Sequence, residues 1–379
     1  MQAIKIWCIL SIVFFLSIFL EVKAQVVTNP TNQQIITAVP SLCFSPDARA
    51  SGMGNTGIAT SADINATFWN PSKLTSLEKE WNFGASYSPM LRRIVDDIWL
   101  GYFSAAKKLN EKQTIAISSR YFGKGDIIYN NSLGQTQELS LGRDLAIDAT
   151  FAQKVSKKLS LAGTFRYINS EQAIFDTQGN PSVESHHTGA VDISALYESG
   201  FTIKEKQVDW NFGVNISNIG APIVVQSVVK EYLPANLGIG TAFTNHLNQD
   251  NLLTFTFDVN KLLVPTPNPS NPTPTQSVFS SIFSSFSDAP NGFREEMQEL
   301  ILSLGTEYSY KDKLKLRGGY YQESRNKGNN RFVSLGTGYE HKFIELNVSF
   351  IKATTDNSIY DETFQVSMIC SFDSKKKTL

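Results

Sequence analysis

The sequence predicts an all-β protein: a transmembrane antiparallel β-barrel of about fourteen strands with an N-terminal plug. Three observations predict it. From Trp81 onward, apolar and polar residues alternate with period two. The connections between alternating segments switch in turn between short, charged turns and longer Gly-, Asn- and Pro-rich loops. After the N-terminal leader, no segment approaches 18 continuous apolar residues, so a membrane crossing needs strands and not helices.

Along the chain, residues 1–24 read as a signal peptide. Lys5 supplies the positive start, Ile6 to Leu20 is apolar, and Val22-Lys23-Ala24 is a small-x-small cleavage site before Gln25. An uncleaved anchor is the alternative, but the run is short of the roughly 20 residues a spanning helix needs. No cysteine follows the cleavage point, which argues against a lipoprotein. Cys43 and Cys370 remain in the mature chain, able either to pair or to stay as small apolar residues.

Residues 25–80 form the expected plug. A barrel of this strand number is too wide for its own side chains to fill. The segment "PDARASGMGNTGIATSADINATFWNP" (46–71) is rich in small residues that pack closely in a confined space. Gly52 and Gly54 allow tight folding. Asp47, Arg49, Asp63, Asn65 and Asn70 offer bonds to a polar lumen face, and Phe68, Trp69 and Pro71 set the exit toward the first strand. A disordered periplasmic arm is the competing reading.

Residues 81–372 form the barrel. Strands are expected to start near Trp81, Ile98, Gln113, Asp144, Leu159, Ala190, Val208, Ala235, Leu252, Ile301, Lys313, Arg331, Phe343 and Glu362. In "LLTFTFDVN" Leu253, Phe255, Phe257 and Val259 oppose Thr254, Thr256, Asp258 and Asn260. The last strand sets Phe364, Val366, Met368, Cys370 and Phe372 on one face, the aromatic ending that barrel-insertion machinery reads, and a tail at 373–379 follows it in the periplasm. "YKDK" and "EHK" are short turns. "GKGDIIYNNSLGQTQELSLG" and "QESRNKGNN" are long loops. A Greek-key sandwich has no reason for such strict alternation. A chain that starts inside places short turns and both termini in the periplasm and long loops outside.

The Pro-rich extracellular loop (263–298) contains "NPSNPTPT", a stiff spacer or a recognition segment. In it Phe279, Ile282, Phe283 and Phe286 fall at helical spacing, and Phe293, Met297, Leu300, Ile301 and Leu304 repeat it. Phe279, Ile282, Phe283, Phe286 and Phe293 are the candidate partner-binding residues, unless they pack on the rim. Glu295, Glu296 and Glu299 read as one charged helical face.

The 379 residues carry a net charge of -1 and only 18% charged residues, against roughly 25% in soluble domains, which leaves no footprint for nucleic acid. His186 and His187 lack a third metal ligand at useful spacing. No catalytic triad motif or phosphate loop is present, so no catalytic, cofactor or metal residue is expected, and a barrel enzyme would need a nucleophile and base not found.

"ATSADINATFWNPSKL" resembles the N-terminal hatch of FadL-type transporters, with Ser72 where Ala is usual. More closely, the chain resembles the PorV family of the type IX secretion system. The resemblance rests on "SPDARASGMGNTGIATSADINATFWNPSKL", "SYSPMLRRIVDDIWLGYFS", "LAIDATFAQKVSKKLSLAGTFRYI", "FSDAPNGFREEMQELILSLGTEYSY" and "LRGGYYQESRNKGNNRFVSLGTGYEHKF", in order over most of the mature chain. It departs at the "NPSNPTPT" insert and at Gly-Thr-Gly 336–338. The resemblance implies a FadL-like barrel without enzymatic activity in the outer membrane of a Gram-negative bacterium. Implied partners are an SprA-type translocon, cargo C-terminal signal domains, a sortase (PorU-like) attachment complex and outer-membrane lipid. Cargo shuttling between translocon and attachment complex is the implied function. A FadL-type transporter of hydrophobic small molecules is the alternative.

Overall fold

The computed structural model describes residues 34–92, 95, 97–130, 134–175, 181–203, 205–225, 229–266, 276–355 and 358–374. The signal peptide, "NPSNPTPT" and all of the C-terminal tail beyond Ser374 lie outside these residues.

Among the described residues eighteen strands follow in order: β1 Trp81–Pro89, β2 Trp99–Asn110, β3 Gln113–Gly123, β4 Asp126–Asn130, β5 Thr136–Ser140, β6 Arg143–Lys154, β7 Leu159–Phe175, β8 Pro181–Ile203, β9 Lys206–Gly220, β10 Ile223–Val225, β11 Val229–Glu231, β12 Asn236–Asn248, β13 Asn251–Leu262, β14 Ile301–Tyr310, β15 Leu314–Gln322, β16 Arg331–His341, β17 Ile344–Ala353 and β18 Thr363–Phe372. Fourteen of them close a barrel in which each strand pairs with its neighbours in the chain. β4–β5 and β10–β11 are separate hairpins within two of the long loops. The ends meet through β1 and β18, antiparallel, with Trp81 opposite Phe372 and Tyr87 opposite Val366. Closure leaves no unpaired edge, the condition for a sheet in hydrocarbon.

The alternation decides which way each residue points. Phe255, Phe257, Leu346, Phe350, Phe364 and Met368 are exposed on the outside, while Asp258, Asn347, Ser349, Thr363 and Ser367 are buried within. This is an apolar-out, polar-in barrel. Aromatic rings cluster near both rims: Trp81, Phe83 and Phe372 stack near the short-turn end, and Tyr87, Trp99 and Tyr121 near the other. No helix among the described residues is long and apolar enough to cross a membrane.

Every expected strand start but one lies within two residues of an observed start. The exception is Ala190. β8 starts instead at Pro181, because β7 and β8 stay paired beyond the barrel as far as Phe175 opposite Pro181. Ile174 and Val183 are suited to strand there, so much of the segment around His186 and His187 is hairpin and not loop. The helical reading of 300–304 also fails. Helix occupies Val278–Ser284 and Phe293–Glu296, a 3-10 turn covers Met297–Glu299, and Ile301 opens β14. Leu302 and Leu304 there point outward at period two.

Candidate functional site

Residues 34–77 run through the lumen, and their polar groups bond to strands around the wall. Ser41 Oγ donates to Asp144 on β6 at 2.7 Å, and Arg120 on β3 donates to the Ser41 carbonyl at 2.7 Å. The Ala48 amide donates to Ser367 Oγ on β18 at 2.6 Å. Gly57 and Ile58 amides both donate to Asp258 Oδ2 on β13, at 2.8 and 3.0 Å. Thr75 Oγ1 and Ser160 Oγ on β7 lie 2.7 Å apart. Each bond replaces one to water, so each adds only about 1 kcal/mol net, but releasing the plug orphans all the partners together.

Helix Ala48–Gly52 starts at Asp47, whose Oδ1 accepts from the Ala50 amide at 2.9 Å. Its other oxygen accepts from Trp69 Nε1 at 2.7 Å. Asp47 therefore organises the plug and does not reach the wall. Burial raises its carboxyl above the ordinary range, with Asp63 adding to the effect. Arg49 is the ionic link to the wall. It pairs with Asp63 at 2.8 Å and with Glu307 on β14 at 3.0 Å, and Nη2 donates to Ser61 Oγ at 2.6 Å. Glu307 is held in turn by Arg317 on β15 at 2.6 Å. Burial disfavours the Asp63 carboxylate, yet Arg49 and Lys73 outweigh burial and hold it below its usual range. Asn65 is buried within the plug, and Asn70 donates to the Ile58 carbonyl and to Ala195 on β8, at 3.0 and 3.1 Å. Pro71 opens the 3-10 turn Pro71–Ser76, from which Leu77 receives Lys108 Nζ on its carbonyl at 2.6 Å, and the chain then enters β1 at the short-turn rim.

Two contacts explain the glycines. Gly54 has φ 69°, and a Cβ there would sit 2.5 Å from the Tyr320 backbone nitrogen. The wall is cut to match: a Cβ on Gly319 would lie 2.0 Å from the Gly54 nitrogen, and one on Gly336 would lie 3.1 Å from the Gly52 Cα. Trp69 covers Gly57, and Phe68 packs edge-on to Trp69 with the Arg120 guanidinium 4.5 Å from its ring.

The sequence reading missed several members of this site: Lys73, Asp258, Glu307, Arg317, Arg120 and the wall glycines. The strand-borne residues among them sit at inward positions, where ion pairs and glycines are legible as polar-face members but not as partners of a segment 79 residues away for Arg120, 201 for Asp258 and 258 for Glu307. Lys73 is 2% exposed. Its Nζ donates to the Gly57 carbonyl at 2.7 Å and to Thr60 Oγ1 at 2.9 Å, and burial pulls it down to about 8 despite the pull of Asp63.

At the opposite end, the long loops surround a cavity of about 400 Å³ above the plug, lined by Leu42, Phe68, Trp69, Tyr321 and Tyr360 among others. Cys43 and Cys370 are both free thiols; Cys43 is exposed to this cavity. Cys43 keeps surface open to the cavity, but the protein packed around it still pushes its thiol up to about 11.

The loop before β14 folds against the outside of the wall. Phe279, Phe283, Phe286, Phe293 and Met297 are exposed, Phe279, Phe283 and Phe293 by more than 70%, and Ile282 is half-buried. Phe286, Phe293 and Met297 line a groove with the outward residues Ile239 and Val259. Beneath them, Glu295, Glu296 and Glu299 are buried and not a solvated face. Lys261 of β13 pairs with Glu296 and Glu299 at 3.1 and 2.5 Å, and Lys327 pairs with Glu295 and Glu299 at 2.6 and 3.0 Å. These two lysines, distant in sequence, turn the three glutamates inward.

A model of the family described as "Type IX secretion system protein PorV" matches residues 27–269, well over half of the chain. The chain belongs to the PorV family. It is an outer-membrane β-barrel of the kind that family contributes to type IX secretion. Among solved structures, the Pseudomonas putida toluene transporter TodX matches with a TM-score of 0.51 at 11% identity, covering 89% of this chain and 98% of its own. The monoaromatic hydrocarbon channel CymD matches at 0.50 and 13%, covering 87% and 98%. A Pseudomonas aeruginosa FadL homologue matches at 0.47 and 11%, covering 90% and 100%. At such identities TodX and CymD show a shared fold alone. A comparison with curated proteins returns no match. Residues Phe279 to Phe293 lie beyond the stretch that the PorV family model covers.

Proposed function

We propose that this PorV-family barrel binds secretion cargo through the cargo's C-terminal signal domain at an SprA-type translocon and shuttles it to a PorU-like sortase attachment complex. The family match over residues 27–269 carries the reading. The plug supports it: a lumen occupied by residues 34–77 and bonded on many sides suits a docking platform better than a conduit. In this reading the plug residues Asp47, Arg49, Gly52, Gly54, Asp63, Asn65, Trp69, Asn70 and Pro71 are structural, and the exposed Phe279, Phe283 and Phe293 with Ile282 and Phe286 form a partner surface. The protein is non-catalytic. Domain limits follow the sequence: signal 1–24, plug 25–80, barrel 81–372, tail 373–379. Long loops face the exterior and both termini the periplasm.

Deleting the gene tests it. Cargo carrying the C-terminal domain then accumulates in the periplasm, and export returns with the wild-type gene. If export continues and growth on long-chain lipid fails instead, the solute-transporter reading replaces this one. That second reading draws on the 400 Å³ cavity, whose walls include several apolar side chains. The orientation has its own check. In a C43S/C370S background, Ser287→Cys labels with an impermeant thiol reagent on intact cells and Asp312→Cys does not. The opposite pattern inverts the topology.

A further inference from the structure

The cavity above the plug has a chemical bias that neither cargo docking nor hydrocarbon passage explains. Two of its lining side chains, Asn55 and Asn215, are each only 5% exposed, and the Oδ1 of each accepts no hydrogen bond. The Asn215 amide group is oriented by its donation to the Trp69 carbonyl at 3.1 Å, so its orphan atom is the oxygen. Buried acceptors without donors are costly and rare.

The charged side chains that line the cavity lean the same way, while Arg120 stands behind Phe68, outside the lining, with its guanidinium on the Phe68 ring and donating to the Ser41 carbonyl. Two cations line it, and each is already held by two carboxylates. Arg166 pairs with Asp148 and Asp192 at 2.8 and 3.0 Å, and Lys327 with Glu295 and Glu299. Glu323 also lines it, and its carboxylate takes bonds from neutral donors: Tyr321 Oη at 2.7 Å, and the Asn330 amide and Nδ2 at 3.2 and 2.7 Å. Arg331 donates to the Glu323 backbone carbonyl and not to this carboxylate. Burial raises the Glu323 carboxyl above the ordinary range, as expected for an acid enclosed without a counter-ion. Phe44, Tyr321 and Tyr360 bring aromatic rings to the same walls, with ring centroids 6.3 Å apart for Phe44 and Tyr360 and 5.9 Å for Tyr321 and Tyr360. Aromatic faces attract ammonium groups.

We infer that this lumenal cavity is a binding site for a small amphiphile bearing a protonated amine on an apolar or aromatic body. The amine meets Glu323 and the aromatic faces, the orphan amide oxygens take its hydrogen bonds, and the body lies against Phe68, Trp69 and Leu42. A cavity of about 400 Å³ is within the range that holds such molecules. The site is independent of the secretion reading.

Cys43 supplies the readout, because it lies in the cavity and is exposed there. In a C8S/C370S background it is the only thiol left in the chain. Purified protein is alkylated with monobromobimane at about pH 8.5, where the raised Cys43 thiol is ionised enough to react slowly and 2-phenylethylamine still carries its proton, in the presence of 2-phenylethylamine, 2-phenylethanol or ethylbenzene. The amine is expected to protect Cys43 at about tenfold lower concentration than the alcohol, the margin of one hydrogen bond to a charged group. In Glu323→Gln, checked for folding by heat-modifiable migration, amine and alcohol protect equally. The inference is overturned if the three compounds protect alike in the parent protein, if ethylbenzene protects best, if none protects, or if Glu323→Gln keeps the preference for the amine. The probe comparison on the unmutated site stands even where the variant fails to fold. Cargo export is read separately, so neither result stands in for the other.

Discussion

At the residue scale, the charges of two buried cations act on the plug in opposite directions. Arg49 is compensated by Asp63 and Glu307. Arg49→Met leaves Asp63 buried without its nearest partner, while Glu307 keeps Arg317. Breaking such a pair costs about 3–5 kcal/mol. The expected outcome is a barrel that still migrates as folded without boiling but whose plug segment becomes cleavable by protease. Unchanged protection would mean that Arg49 is incidental. Lys73 carries a penalty instead. Its folded value of about 8 lies below the ordinary 10.5. Below pH 8 the proton is bound whether the plug is docked or released, and the burial cost is present in full, about 3 kcal/mol. Between pH 8 and 10.5 the docked lysine has lost its proton and the released one has not, so docking strengthens as pH rises. Protease protection of the plug should therefore increase across that window, and Lys73→Met should flatten the rise. A falling profile in the parent protein would refute the assignment. Asp47, Asp63 and Asp258 also face this site, so Lys73→Met is the control that isolates the lysine.

At the element scale, the loop 276–299 is fastened by ions and displays apolar surface. Lys327→Met removes the lysine from Glu295, which keeps Asn291, and leaves Glu299 to Lys261 and the Thr266 hydroxyl. The loop should detach from the rim at a cost of about 3–5 kcal/mol, seen as faster proteolysis between Val278 and Leu300 with the barrel intact. Phe279→Ser with Phe283→Ser leaves that cluster untouched. If the loop is a partner surface, this double variant lowers capture of a translocon partner in mild detergent without changing protease protection. This element also marks where the sequence stopped being legible. Strands were readable because period two is local: Phe255 and Asp258 declare their faces within four residues. The aromatic run at 279–286 was readable as helix for the same reason, and Val278–Ser284 is one. The turn into β14 was not, because Phe293, Met297, Leu300, Ile301 and Leu304 satisfy the helical spacing by coincidence. The burial of Glu295, Glu296 and Glu299 was hidden because it depends on Lys261 and Lys327, which only the closed barrel brings near. The plug was foreseeable from its small residues. Which wall groups receive it, such as Asp258, Glu307 and Gly319, was not, since their partners lie hundreds of residues away.

At the scale of the whole molecule, stability and closure are separable, because the ladder and the plug use different bonds. All fourteen barrel strands satisfy their backbone groups with one another, including the β1–β18 seam, fastened by Lys79 to Asp373 at 3.0 Å and Trp81 Nε1 to Ser374 Oγ at 3.1 Å. The plug adds side-chain bonds from the inside and no strand to the sheet. Deleting Pro46 to Pro71 should therefore leave a barrel that is heat-modifiable and rich in β-structure. What changes is the lumen. Its wall is polar, and at fourteen strands it is too wide for inward side chains to fill. Water and ions then enter where Ala48, Gly54, Ile58 and Trp69 stood. The expected reading is steady ion conductance in planar bilayers and sensitivity of cells to large antibiotics. A milder form comes from Gly54→Val, which meets both a left-handed backbone and the Tyr320 nitrogen. Overpacking of about 1–3 kcal/mol should give intermittent conductance, not steady. Gly52→Val has its tightest approach at 3.0 Å, to the Gly336 Cα, with no left-handed backbone to strain, and should leak less. The order deletion, Gly54→Val, Gly52→Val, parent is thus a graded forecast from geometry. If the deletion conducts no more than the parent and keeps both resistance and cargo export, residues 46–71 do not seal this barrel, and its wall must narrow by another route.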